Sequence, residues 1–450
     1  MTDPEDVAGT RGVAGPQGLT GPRGVTGPEA ATEPREATGP EDLTELDDLP
    51  YARPHWGEEE AKELLAALDS GIWTNGERGR AFEAELARLT GAPTVTSSSG
   101  TTAVHGLLHA LAAEHAGPRL LVTPALTFAA APAAALLQGW DIALADVTAG
   151  DLTLSPAHVA ELLERNGGRY ATTVVMPVHY AGHTADMSAL DAVCSAHGAL
   201  LVEDACHAIG AHYGDPARPV GSWPSARAAY FSFHPVKPLA TGEGGAVASR
   251  DAELVERLRS FRNHHMTPMR EHAHDLAPWP YTVPEPGANH RLSELHAALG
   301  LVQARRVEES RRERARLAHR YHRALAGLPG VRTVPARPRP GSAHHLFPVV
   351  FDLAHLGLGK REVLETFAAR RIRCQVHYTP LHRLPAFGDV PARLRTPLDT
   401  LDAAFPGLVS LPLWRGMRER DQDRVIDTVR QLTLGAPRTS RTSRSERTAP

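Results

Sequence analysis

From residue 94 onward, short apolar or β-branched runs alternate with helical stretches: TVTSSS, then a helix opening at Gly100; LLVTPAL, then 127–138; ALADV, then 155–165; TTVVMPVHY, then 186–197; then LLVEDAC. Strands separated by helices in this way are joined by right-handed crossovers, and the sheet they form is mostly parallel and buried on both faces. The predicted fold class is therefore α/β. Two further runs, AAYFSFH and GGAVASR, follow with no room for a full helix between them, and a helix is expected from about Asp251 to Arg262. A long helical stretch begins near Arg291, with Leu295, Leu299 and Val302 on one stripe, and turns highly charged between Arg305 and Arg323. That charged part reads as a solvated helix bridging two domains. Beyond it, strands at HHLFPVV and IRCQVHY and a short apolar run at LVSLPL, with helices over about Gly359–Arg371 and Glu419–Leu432, are enough for a small α/β domain.

This pattern divides the chain into a large domain over 50–315 and a small one over 316–433. The flanks differ in kind. Glycines at 9, 12, 15, 18, 21, 24 and 27 give a Gly-x-y register, and residues 1–50 carry 3 basic and 11 acidic side chains. Residues 1–49 are expected to be a disordered, polyproline-like acidic extension, with a collagen-like stalk as the alternative. Residues 434–450 are expected to be a disordered basic tail. The overall net charge of -4 leaves the stretch between the flanks near neutral, which does not suit a nucleic-acid-binding surface. No apolar run is long enough to span a bilayer and the first residues are acidic, so the chain is expected in the cytoplasm. Three cysteines without C-x-x-C spacing suit neither a disulfide framework nor a zinc ribbon. The 24 histidines, among them the pairs His264–His265 and His344–His345, lack a recognised ligand set, and no metal is expected.

Ligands of open parallel sheets sit at the carboxyl ends of the strands. The polar groups there are Ser97–Thr101, Thr127 with Phe128, His179 with Gly182 and His183, Glu203 and Asp204 with His207, and Ser232 to Lys237. Ser-Ser-Gly-Thr opens directly into a helix, whose free N–H groups and positive dipole end suit a phosphate, or serve as an ordinary cap. Neither GxGxxG nor GxxxxGK[ST] is present, so a dinucleotide or nucleoside triphosphate is not indicated. Asp204 ends an apolar strand, where a carboxylate needs a cation or donors. Lys237 follows another apolar strand, and a lysine in a partly apolar site has the lowered pKa that Schiff-base formation requires. An acid for a pyridinium nitrogen, a lysine for an aldehyde and a helix terminus for a phosphate together describe pyridoxal 5′-phosphate (PLP).

The order SSGT, P-x-x-TF, VEDA, FSFHPVK followed by GEGG, then N-x-R, resembles the DegT/DnrJ/EryC1/StrS family of sugar aminotransferases, over about residues 50–433. The resemblance implies a fold type I PLP-dependent transferase: a large domain with a mostly parallel mixed sheet covered by helices, plus a small C-terminal α/β domain. It implies that Lys237 forms the Schiff base and moves the proton, that Asp204 keeps the ring nitrogen protonated, and that Phe128 stacks on the ring. Gly100, Thr101 and Ser232 are implied phosphate ligands. Asn289 is implied to reach the phosphate of the neighbouring subunit, which makes the protein a homodimer with composite sites. His207 stands where many relatives have Gln, near the phenolic oxygen of the cofactor, and the same His in some relatives goes with nucleotide-linked 4-keto sugars. The implied reaction takes an amino group, from L-glutamate, to such a keto sugar. A cyclitol or other carbocyclic ketone stays open as acceptor, while retention of Lys237 speaks against the family's dehydratases. A non-catalytic scaffold on a collagen-like stalk is the reading from another class. His183, His377 and Tyr378 are candidate substrate residues, the last two facing either a sugar nucleotide or the core. Trp56, Trp73, Trp140, Trp223 and Trp279 read as packing or loop residues rather than sugar platforms.

Overall fold

Two helices that the pattern does not announce come first. The structure, a computed structural model, describes residues 48–215, 217–268 and 280–435. The expectations for the Gly-x-y extension, the basic tail beyond 435 and Trp279 fall outside the described residues. Helix α1 (Glu58–Asp69) starts where Glu60 accepts from the Gly57 amide at 2.9 Å. Helix α2 (Glu77–Thr90) is capped from 215 residues away: Glu294, almost fully buried, accepts from the amides of Arg78 and Gly79 at 2.9 and 3.0 Å. A cap supplied by a distant carboxylate leaves no local signal in the sequence.

The strands β1 (Thr94–Ser97), β2 (Arg119–Pro124), β3 (Asp141–Ala145), β4 (Thr172–Val175), β5 (Leu200–Asp204), β6 (Ala228–Ser232) and β7 (Gly245–Ala248) form a seven-stranded sheet in the order β1-β7-β6-β5-β4-β2-β3. Only β7 runs antiparallel to its neighbours. The mostly parallel mixed sheet is thus as expected. Helices α3 (Gly100–Ala112), α4 (Ala130–Leu137), α5 (Pro156–Asn166) and α6 (Met187–His197) fill the crossovers, and α7 (Ala252–Phe261) follows β7. Because side chains on both faces are covered, the strands carry continuous apolar runs such as Leu120–Val122, all buried. The parallel strands end along one edge, which brings Ser97, Asp204 and Ser232 to the same side of the molecule.

A two-stranded ribbon, β8 (Thr267–Pro268) with β9 (Tyr281–Thr282), precedes α8 (Glu294–Arg305). The long helix expected from Arg291 breaks at Arg306, and α9 (Val307–Leu325) continues beyond it. α9 is not solvated all round: Leu317, Ala318, Tyr321 and Leu325 are buried in one cluster with Phe347 and Phe351. That cluster lies on a three-stranded antiparallel sheet of β10 (Val331–Thr333), β11 (Phe347–Phe351) and, after α10 (Leu353–Leu356), α11 (Lys360–Ala369) and α12 (Asp399–Ala404), β12 (Leu408–Leu411). α13 (Glu419–Leu434) closes the described chain. The predicted strand IRCQVHY does not form. Its residues make only single bridges, Ile372 to Leu49 and Gln375 to Ser410, before the segment turns and sends His377 and Tyr378 to a cavity. Contacts gather both sheets into one compact unit among the described residues.

Candidate active site

At the carboxyl edge of the large sheet lies a cavity of about 410 Å³. Its floor is built by β1 and α3 (Ser99, Gly100, Thr101), β5 (Asp204, Cys206, His207) and β6 (Tyr230, Ser232), with Lys237 from the following turn. Phe128 after β2 and Tyr51, His345, His377 and Tyr378 line the rest. The structure therefore gathers Gly100, Thr101, Phe128, Asp204, His207, Ser232, Lys237, His377 and Tyr378, far apart in sequence, around one space.

The phosphate-sized end is made by close backbone approach. The first turn of α3 has no intrahelical partners for its amides. Ser99 takes the Thr102 amide at 3.1 Å, which leaves those of Gly100 and Thr101 for a ligand. A Cβ on Gly100 would lie 2.7 Å from the Ser232 Cβ, and one on Gly245 would lie 2.4 Å from the Ser99 carbonyl oxygen. Two glycines thus let β7, β6 and the helix terminus converge, so that the Ser232 hydroxyl stands beside the amides.

At the other end, Asp204 is 5% exposed. Its Oδ1 accepts from the Cys206 amide at 3.1 Å and its Oδ2 accepts from the Tyr230 hydroxyl. Lys237 makes no side-chain hydrogen bond or ion pair with any described residue. Loss of solvent pulls its amine below the usual lysine pKa, against the opposing pull of Cys206 and Asp204. An unengaged amine of lowered basicity is what nucleophilic attack on an aldehyde requires.

The imidazole of His207 is held at both nitrogens. Nδ1 accepts from the Ala181 amide at 3.3 Å, so the proton is on Nε2, which donates to the Tyr378 hydroxyl oxygen at 2.8 Å. Burial and the Lys237 charge keep the ring neutral, its pKa well below the usual range. The Tyr378 ring lies 5.6 Å from that of the exposed Phe128, and His377 donates to or accepts from Ser410 through Nδ1 at 3.0 Å.

Two candidates lie elsewhere. His183 is 2% exposed and packs edge-on against His344 at 5.6 Å, away from the cavity. Asn289 is exposed and bridges Asn263, and in the single chain it does not line the cavity. His179 and Glu203, also at strand ends, pair with each other at 2.8 Å in the core, with Tyr213 donating to the same carboxylate. Tyr230, Cys206 and His345 are lining residues that sequence reasoning missed. Tyr230 had a signal, since it stands two residues before Ser232 on the same face of β6. Among the tryptophans, Trp140 is buried, and none of the described ones lines this cavity.

An acid at one end, a reactive amine in the middle and a glycine-lined amide cradle at the other fit PLP: Asp204 would hold its ring nitrogen, Lys237 its aldehyde carbon, and Gly100, Thr101 and Ser232 its phosphate. Comparison with known proteins agrees. The chain is 31% identical over 391 residues to the spore coat polysaccharide biosynthesis protein SpsC of Bacillus subtilis, covering 86% of this chain and 98% of SpsC. Its fold matches Helicobacter pylori PseC, an aminotransferase involved in pseudoaminic acid biosynthesis, with a TM-score of 0.78 at 26% identity over 86% of this chain and 100% of that one. It also matches DesI, solved in the presence of its TDP-sugar product, with a TM-score of 0.75 at 29% identity over 87% and 94%. The sequence profile of the DegT/DnrJ/EryC1/StrS aminotransferases covers residues 54–430, and the chain belongs to that family of PLP-dependent enzymes.

Proposed function

We propose that the protein transfers an amino group from L-glutamate to the keto group of a nucleoside-diphosphate sugar. The observation that carries the reading is the unengaged amine of Lys237 between the Asp204 carboxylate and the amides of Gly100 and Thr101, in a cavity bordered by Phe128, His377 and Tyr378. The nucleotide-sugar part leans on DesI, solved with a TDP-sugar product, and the glycan part on SpsC and PseC by name.

PLP, when bound, supplies an aldehyde that can carry the amino group and a ring that can withdraw electrons. The chain's own residues do the rest. Lys237 would hold the aldehyde carbon and would take and return the proton of the reacting carbon. Asp204, fixed by Tyr230 and the Cys206 amide, keeps a proton on the ring nitrogen. His207 presents a neutral, fixed imidazole edge to the cavity, and Phe128 would cover one face of the ring. Amino donor and keto acceptor occupy the same cavity in turn, so the two half-reactions give ping-pong kinetics.

Asn289 of one chain reaches the phosphate of the neighbouring chain in a homodimer, a reading supported by its exposure and by the apolar surface of Trp56, Leu65, Ile72 and Trp73, each at least 56% exposed. Residues 50–315 act as the cofactor-binding domain and 316–433 as the smaller one. No helix among the described residues is long and apolar enough to cross a membrane, in keeping with a cytoplasmic enzyme. The test is turnover of L-glutamate with UDP-, dTDP- and GDP-linked 3-keto and 4-keto sugars. An amino sugar nucleotide is expected from at least one. Transfer only to a carbocyclic ketone would replace the sugar assignment.

A further inference from the structure

An amino-acid donor brings carboxylates into a cavity that already contains the acids Asp204 and Glu243. Among the described residues of the same chain, no arginine lines that cavity. Lys237 is reserved for the reacting carbon, and the other candidate partners are largely committed. His207 uses Nδ1 on the Ala181 amide and Nε2 on Tyr378, and His377 uses Nδ1 on Ser410. His234 is exposed to water.

His345 is different. It lines the cavity, is 3% exposed, and its ring makes no hydrogen bond to any described residue. Nδ1 is sealed from solvent without a partner, so the edge left to meet a ligand is the one that carries Nε2. The ring lies 4.5 Å from that of His207 and lines the same cavity as Lys237. Its backbone is pinned: Arg314, itself 3% exposed, donates to the His345 carbonyl at 3.4 Å, and the neighbouring Leu346 amide donates to Ala181 at 3.3 Å. Arg314 also puts a positive charge behind the ring. A buried polar ring without a partner, backed by a cation, is a site for an anionic oxygen.

We propose that the His345 ring donates through Nε2 to a carboxylate of the amino donor, an assignment that rests on the aminotransferase reading above and extends it to donor recognition. An imidazole then does in this chain what a guanidinium does in many carboxylate sites. The preference for an acid-bearing donor comes from a residue in the loop just before β11, outside the motifs that hold the cofactor.

The test uses the full-length protein loaded with PLP and follows the change in cofactor absorbance on rapid mixing with L-glutamate, for the wild type, His345→Phe and His345→Gln. Loss of one charge-assisted hydrogen bond predicts that the half-saturating L-glutamate concentration rises roughly 10- to 100-fold in His345→Phe. The limiting rate and the PLP loading are expected to stay within about twofold of wild type, the split that marks a loss of binding alone. His345→Gln keeps an N–H donor and should recover part of the loss. Half-saturation in His345→Phe within about twofold of wild type would overturn the proposal. So would equal loss of PLP loading in both variants, which would make His345 a packing residue. A wild type that loads PLP but responds to no amino acid would overturn the aminotransferase reading itself, and this inference with it.

Discussion

The Tyr378 hydroxyl accepts a hydrogen bond from His207 Nε2 at 2.8 Å, tying the end of β5 to the segment that leaves the small sheet. Since the Ala181 amide fixes the His207 tautomer, the Tyr378 hydrogen is left free to point at a ligand. Tyr378→Phe removes both functions. We expect kcat/KM to fall roughly tenfold for the sugar half-reaction, in line with about 1–2 kcal/mol for one hydrogen bond. PLP loading should be retained, and absorbance titration checks it. His207→Gln keeps a donor at the same place and should lose less activity than His207→Phe.

The cradle for the phosphate tolerates no side chain. Gly100→Ala places a methyl 2.7 Å from the Ser232 Cβ, and the close contact must be relieved by moving β6 or the helix terminus. PLP affinity should drop at least tenfold, while overpacking costs about 1–3 kcal/mol in unfolding free energy. Ser232→Ala, which removes only a hydroxyl, should weaken PLP with no loss of stability. Equilibrium titration with PLP and urea denaturation separate the two effects.

Burial holds the Lys237 amine below its ordinary pKa, so the neutral amine exists at lower pH than in a free lysine. The rate at which the PLP-free protein captures PLP should therefore rise with pH to a plateau reached below the usual lysine range of about 10.4. Asp204 opposes the shift by holding a proton on the amine. Asp204→Asn should accordingly move the rise to still lower pH, even as it destroys turnover. A stopped-flow pH profile of capture reads both.

Part of this arrangement is legible in the residues alone. β1 to β7 and the crossover helices follow from runs buried on both faces, a pattern that depends on local order. Ser99–Thr101, Asp204 and Lys237 stand out because each ends or follows a buried strand with a polar group that needs a reason. His345 does not stand out, for nothing local says that it borders the cavity; only its packing against His207, just past the end of β5, does. His183 misleads for the same reason: it follows the short Tyr180–Gly182 turn beyond β4 but is directed into the core at His344. The Glu294 cap on α2 and the failure of IRCQVHY to join a sheet likewise depend on partners distant in sequence.

Burial also fixes an acid limit. Desolvation lowers His183 to about 3, and His290, His322 and His377 to about 4. The unfolded chain binds these protons near the ordinary value of about 6.5, so between the two values it holds more protons than the folded chain. Their contribution to stability is complete above about pH 6.5 and is lost as the pH falls toward the folded values. The thermal midpoint should decline steadily from pH 6.5 to 4, by calorimetry. His183→Leu, which removes one such group, should make that decline shallower.

The central claim is that Lys237 drives amino transfer to a nucleotide-linked keto sugar. The most direct measurement is mass spectrometry of the nucleotide product after incubation with PLP, 15N-labelled L-glutamate and the panel of keto sugar nucleotides, for the wild type and Lys237→Ala. The account predicts a 15N-amino sugar nucleotide with the wild type and none above background with Lys237→Ala. Label in the product of both proteins, or in neither across the whole panel, would contradict it.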